Sequence, residues 1–161
     1  NFLLSCNMCN SCKKDADVDL ERTHFPHRDN TYMDFIYDES GRVTVNPALP
    51  KEEYEKAENL YNLVKMGRDP FGEEATSNRD FRWRTRFQTW NLAKKYLGKY
   101  EAGKSDLDDI LELVKGYGHW SIWFTVFKGH DEVRKALIEN TPGTCAACFD
   151  AGNHYEPIKR K

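Results

Sequence analysis

Three of the chain's five cysteines fall inside one heptapeptide, Cys6-Asn-Met-Cys9-Asn10-Ser-Cys12, and Lys13 follows directly. Two thiols spaced C-x-x-C lie on one backbone turn, close enough to grip a single ion. The opening of this chain is therefore expected to fold as an irregular, polar metal knuckle. Structural zinc wants four soft or borderline ligands in a tetrahedron, and Cys6 and Cys9 supply two. The other two are Cys145 and Cys148, the second C-x-x-C, if the tail folds back, or groups upstream of Asn1. Cys12, three residues past Cys9, is a third source. The competing reading is a pair of small core thiols with no metal.

Cysteines that are odd in number and grouped as C-x-x-C read as metal ligands in a reducing compartment, so a cytoplasmic location is expected. No apolar run reaches the length of a membrane span, and Phe2-Leu3-Leu4 is too short for a signal-peptide core. A chain of 161 residues buries a real core in one domain, or in one domain plus a small metal-stapled appendage. Net charge is −2, so any nucleic-acid contact must come from a local basic patch. The chain begins with Asn, not Met, which fits a missing, processed or cut N-terminal piece.

Periodicity predicts an α+β, mostly α chain in two parts. Residues 1–50 hold the knuckle, a short helix over 13–20, and a hairpin. Its strands are Tyr32–Tyr37 and Arg42–Val45, around Asp38-Glu-Ser-Gly41. Residues 51–161 form a helical domain. Lys51–Met66 has i, i+3, i+4 apolar spacing, an acidic first turn and Gly67 as its stop. A long helix runs from about Arg79 to Tyr100. Ser105-Asp-Leu-Asp108 resembles a capping box ahead of Leu107, Ile110, Leu111 and Val114. Trp120–Phe127 is apolar on nearly all sides and reads as the central helix. Asp131–Glu139 is the last helix, and the tail is loose and basic. His24 and His27 could ligate metal, though a surface loop is the plainer reading; His119, His130 and His154 read as helix-end or surface groups.

The string Asn1-Phe-Leu-Leu-Ser-Cys6-Asn-Met-Cys9-Asn10-Ser-Cys-Lys13 resembles the distal half of the HNH nuclease motif, N-x-x-x-x-C-x-x-C-(H or N)-x-x-K. Further features resemble bacterial HNH proteins with an α-helical extension, including those paired with an ATPase in anti-phage defence. They are Phe25-Pro26, Asp38-Glu-Ser-Gly-Arg42, Arg79–Arg84, Trp120–Phe127, Glu132–Glu139 and Pro142-Gly-Thr144 leading to Cys148-Phe-Asp150. The resemblance implies a partial ββα-metal knuckle. It implies catalytic roles for Asn1, which braces the loop, and Asn10, which helps hold Mg²⁺ or Mn²⁺. Cys6 and Cys9 would be half of a structural Zn²⁺ site and Lys13 the trailing lysine. The hairpin bearing the general-base histidine would precede Asn1, so this chain alone is not expected to cut DNA.

Between Arg79 and Lys99 seven basic residues face one acid, Asp80. Helical spacing puts Arg79, Arg82 and Arg86 on one face, where they could meet phosphates, with Lys13 and Lys14 as further candidates. The rival is a solvated face balancing acidic neighbours. The expected function is the C-terminal portion of a metal-dependent DNA endonuclease. The alternative is a zinc-stapled module docking a partner such as an ATPase, and a compact zinc domain of unrelated role is a third. DNA is the expected partner, and a homodimer is left open.

Overall fold

The computed structural model describes residues 6–70 and 80–160. The chain divides into two compact units: residues up to Asp38 with Arg42–Thr85, and Glu39–Gly41 with Arg86–Lys161. The expected α+β, mostly α class is what forms, with six α-helices and two small antiparallel sheets among the described residues. No described helix is long and apolar enough to cross a membrane.

In the first unit, helix α1 spans Asn7–Lys13. The helix expected over 13–20 is absent, because Lys14 turns to φ +52° and ends α1. Acidic side chains then take the backbone donors: Asp17 accepts from Val18 N–H, and Asp19 from Glu21 and Arg22 N–H. Such local bonds compete with helix formation. Strands β1 (Phe35–Tyr37) and β2 (Val43–Val45) pair antiparallel, Phe35 opposite Val45, as the alternating pattern predicts. Helix α2 (Lys51–Leu63) covers them. Phe25, Phe35, Val43 and Leu60 form the core, and the Tyr61 hydroxyl donates to the Val43 carbonyl at 3.0 Å. Compactness thus groups α2 with the hairpin. The left-handed residue after α2 is Lys65 (φ +49°), two positions before the expected Gly67.

Helix α3 (Arg82–Glu101) contributes its first turn to the first unit and the rest to the second. The second unit adds α4 (Leu107–Tyr117), α5 (Trp120–Val126) and α6 (Asp131–Asn140). The capping box of α4 lies one residue later than expected: the Asp106 side chain accepts Asp109 N–H, and Asp109 accepts Asp106 N–H. Gly118 (φ +67°) and His119 (φ +55°) turn the chain from α4 into α5, a reversal that favours glycine at its first residue. Trp123, Phe124 and Phe127 are fully buried, with Ile110, Ile122, Val133 and Leu137 around them, so α5 is the central helix expected. The tail is not loose. Ala146–Cys148 makes a 3₁₀ turn, and β3 (Phe149–Asp150) pairs with β4 (Glu156–Pro157). The fully buried Arg134 clamps this hairpin through the His154 carbonyl and the Glu156 carboxylate, both at 2.7 Å.

Candidate metal knuckle and basic surface

Cys6 is the N-cap of α1. Its Sγ accepts Cys9 N–H at 3.3 Å, the role that Ser or Asp plays at ordinary caps, and its carbonyl accepts Asn10 N–H at 3.0 Å. The C-x-x-C spacing therefore sets the first turn of α1 and brings the two sulfurs together. Asn10 follows Cys9 directly and is exposed on the helix.

An arginine from a distant part of the first unit backs this turn. Arg82 donates to Cys9 Sγ at 3.4 Å and Cys12 Sγ at 3.6 Å, and Arg68 reaches Cys12 Sγ at 3.7 Å. Arg82 is held in turn by the Asp80 carboxylate at 2.8 Å and by the carbonyls of Val64 (2.8 Å) and Lys65 (3.1 Å). Burial works most strongly against the charge on Arg82, but the hydrogen bonds to Asp80 and Cys9 and the charges of these groups together outweigh it and hold the guanidinium firmly protonated. Burial likewise opposes ionisation of Asp80, yet hydrogen bonds from Arg82 pull its carboxyl below the usual range. At Cys6, burial raises the thiol, but the hydrogen bonds from Cys9, with Met8 N–H and Arg82 assisting, bring the net value down. Cys9 goes up, from burial first and then from Cys6 beside it, with Arg82 opposing.

One lowered thiol with a second beside it is the donor chemistry of a thiophilic cation site, and Cys6 and Cys9 fit zinc as half a ligand set. Among the described residues, no group of three or more His, Cys, Asp or Glu is arranged to hold an ion. Cys12 is drawn toward Arg82 and Arg68 instead. For a catalytic divalent cation, Asn10 is in place on α1, but the described residues do not surround it with a carboxylate or imidazole set.

The second pair lies in the other unit. Cys148 N–H donates to the Cys145 carbonyl at 3.0 Å, closing the 3₁₀ turn, and the Cys148 carbonyl accepts Ile158 N–H at 2.9 Å. Burial pushes the Cys148 thiol up, Cys145 adds to the rise, and Arg160 opposes it.

Two arginines of the basic face read from helical spacing, Arg82 and Arg86, are turned to protein groups. Arg82 is turned inward as described. Arg86 is buried at 4 % exposure and donates to the Gly41 carbonyl at 2.8 Å within the second unit. The exposed cations of α3 are Arg84, Lys94 and Lys95. Asn1 and Arg79, also expected to act, lie outside the described residues. Lys13 and Lys14 end α1 and line a groove of about 620 Å³ with two residues the spacing argument missed, Lys65 and Arg68. Charge patterning along α2 could have found these, since both follow its C-terminus.

His24 was open to metal or a surface loop, and it is neither solvated nor beside the cysteines. It is buried in the first unit with Nδ1 3.1 Å from the fully buried Asp34 carboxylate and Nε2 3.5 Å from Glu53. The arrangement ties the loop, the residue that precedes β1, and α2 together. Compared with protein-family models, curated proteins and solved structures, the chain matches none.

Proposed function

We propose that this chain is part of an HNH-type, metal-dependent DNA endonuclease whose zinc-stapled knuckle presents Asn10. The observation that carries the reading is α1 itself: Cys6 caps the helix with its sulfur, Cys9 sits one turn on, and Asn10 is exposed at the next position. In this reading Cys6 and Cys9 hold structural zinc together with ligands outside the described residues. Asn10 offers its side-chain amide to a Mg²⁺-type ion, which when bound supplies charge stabilisation on the scissile phosphate. Arg82 donates to the sulfurs of Cys9 and Cys12, and Asp80 holds Arg82. The general base is a group outside the described residues, because His24 is enclosed by Asp34 and Glu53.

The test is plasmid nicking in Mg²⁺ or Mn²⁺ by the protein together with any upstream segment encoded with it. Asn10→Ala is expected to lower cleavage at least about tenfold to a hundredfold, the scale on which supporting groups at metal sites act, with zinc content unchanged. Wild-type protein that binds zinc yet nicks in neither metal would return the chain to a zinc-stapled docking module.

A further inference from the structure

We infer that the groove bounded by Lys13, Lys14, Lys65 and Arg68 is a binding site for a phosphodiester backbone, so that nucleic acid lies along the end of α1 rather than along α3. The inference rests on the nucleic-acid part of the proposed function and not on its chemistry. Four cations from two segments some fifty residues apart converge on one groove of about 620 Å³, against one carboxylate, Asp15. The chain as a whole is acidic, so this concentration is local. A space of that size takes a nucleotide-length stretch of chain rather than a lone anion.

Two of the four cations also have an unusual backbone conformation, one that His119, His154 and Tyr155 share elsewhere in the chain. Lys14 and Lys65 both sit at positive φ, +52° and +49°, a region that L residues other than Asn and Asp seldom occupy. Each ends or follows a helix at a position where glycine is the usual residue. Lysine therefore occupies two conformationally unfavourable positions that line one groove. Lys13 Nζ reaches the Lys14 carbonyl at 3.5 Å, and Arg68 reaches Cys12 Sγ, another residue of the groove lining, at 3.7 Å.

Strain and charge together give a test that separates binding from folding. Lys14→Gly and Lys65→Gly each remove a cation and relieve the positive φ. Binding of a short fluorescein-labelled DNA duplex is followed by polarisation across a salt series. Each variant is expected to bind about eightfold more weakly near about 100 mM salt, because each phosphate contact contributes a slope of about 0.9 in log K against log salt. The salt slope should fall by about one, while the thermal midpoint stays at or above that of the parent. Arg68→Gln should act in the same direction. Lys94→Gln with Lys95→Gln, which removes two charges on α3, should alter affinity by less than about twofold.

Unchanged binding in both glycine variants overturns the groove, as does an equal loss in the Lys94/Lys95 control. Heparin binding as tightly as DNA, with the same dependence on Lys14 and Lys65, overturns the nucleic-acid assignment. Inorganic phosphate should compete only weakly, and full competition by it would mark a single-anion site and also overturn the backbone assignment. Groove-dependent binding without cleavage keeps the groove and sinks the nuclease reading. Cleavage indifferent to all groove variants does the reverse.

Discussion

The two C-x-x-C pairs share a spacing and differ in almost everything that spacing does not specify. Cys6 and Cys9 open an α-helix, with a sulfur acting as the cap, and Arg82 reaches Cys9 Sγ directly. Cys145 and Cys148 close a 3₁₀ turn. Their unit also supplies a buried arginine, but Arg134 grips the hairpin that follows and not the sulfurs. The Cys6 thiol is lowered and the Cys148 thiol is raised. A cysteine motif thus specifies a turn, and the Cys6 thiol is lowered chiefly by donors of that turn itself, Cys9 first, with Arg82 contributing least. On this comparison the two turns differ in the donors that reach their sulfurs, and the proposed cation site is the first pair.

The largest effects should come from the two arginines. Arg134 is fully enclosed, with its guanidinium 4.0 Å from the Phe124 ring centroid. Arg134→Ala removes one partner of a buried charged network and should cost about 4 kcal/mol, read by urea unfolding. Arg82→Ala leaves the Asp80 carboxylate buried and should cost about 3 kcal/mol. Its loss should also slow alkylation at Cys9, whereas Arg134→Ala should leave the reactivity of Cys145 and Cys148 to change only with hairpin opening. Because Arg82 lowers Asp80, the stabilisation from that pair is complete above the ordinary carboxylate pKa and disappears as pH falls through the lowered native value. Asp80→Asn should flatten that acid limb. If Arg134→Ala instead changed thiol reactivity in the folded protein, the two arginines would have equivalent roles and the contrast would fail.

A smaller effect separates the pairs as ligands. Co²⁺ substituting for zinc reports thiolate coordination by its charge-transfer absorption. Cys6→Ser is expected to weaken Co²⁺ binding at least about a hundredfold. Cys145→Ser should weaken it less. Equal losses would make the second pair a full partner in the same site and break the comparison.

The parts of the fold that were legible in the sequence are those written by local apolar pattern. Trp123, Phe124 and Phe127 lie in a segment apolar on every side, and a helix of that kind has to be central. The hairpin follows from alternating residues around a glycine loop. The helix expected over 13–20 is absent and α1 forms over Asn7–Lys13 instead, because a thiol is not among the usual capping groups and because Asp17 and Asp19 favour turns where a helix seemed to continue. The tail hairpin has strands of two residues, too short for any pattern, and is held by Arg134 from α6. At the site, the cysteine spacing showed that Cys6 and Cys9 share one turn. Charge density on α3 did not show that Arg82 and Arg86 point inward, since a run of basic residues is silent about which carbonyls, sulfurs and carboxylates wait inside. The His24–Asp34–Glu53 cluster joins three separate segments and had no contiguous signature.

The smallest predicted difference is the most direct test of why the pairs differ. Iodoacetamide reacts with thiolate, so its rate at each cysteine follows the ionised fraction. At neutral pH Cys6, lowered by the Cys9 N–H and its neighbours against the pull of burial, should alkylate severalfold faster than Cys148, raised by burial and by Cys145. Raising the pH ionises Cys148 later than Cys6, so the ratio should shrink steadily and approach the ratio of their accessibilities once both are thiolates. Peptide mass spectrometry after short pulses across the pH series gives both profiles from one sample. The same series on Arg82→Ala should move the Cys6 profile upward only slightly, because Arg82 contributes least of the groups that lower it. A Cys148 profile lying below that of Cys6 would mean that environment does not distinguish the two turns, and the assignment of the cation site to the first pair would lose its physical basis.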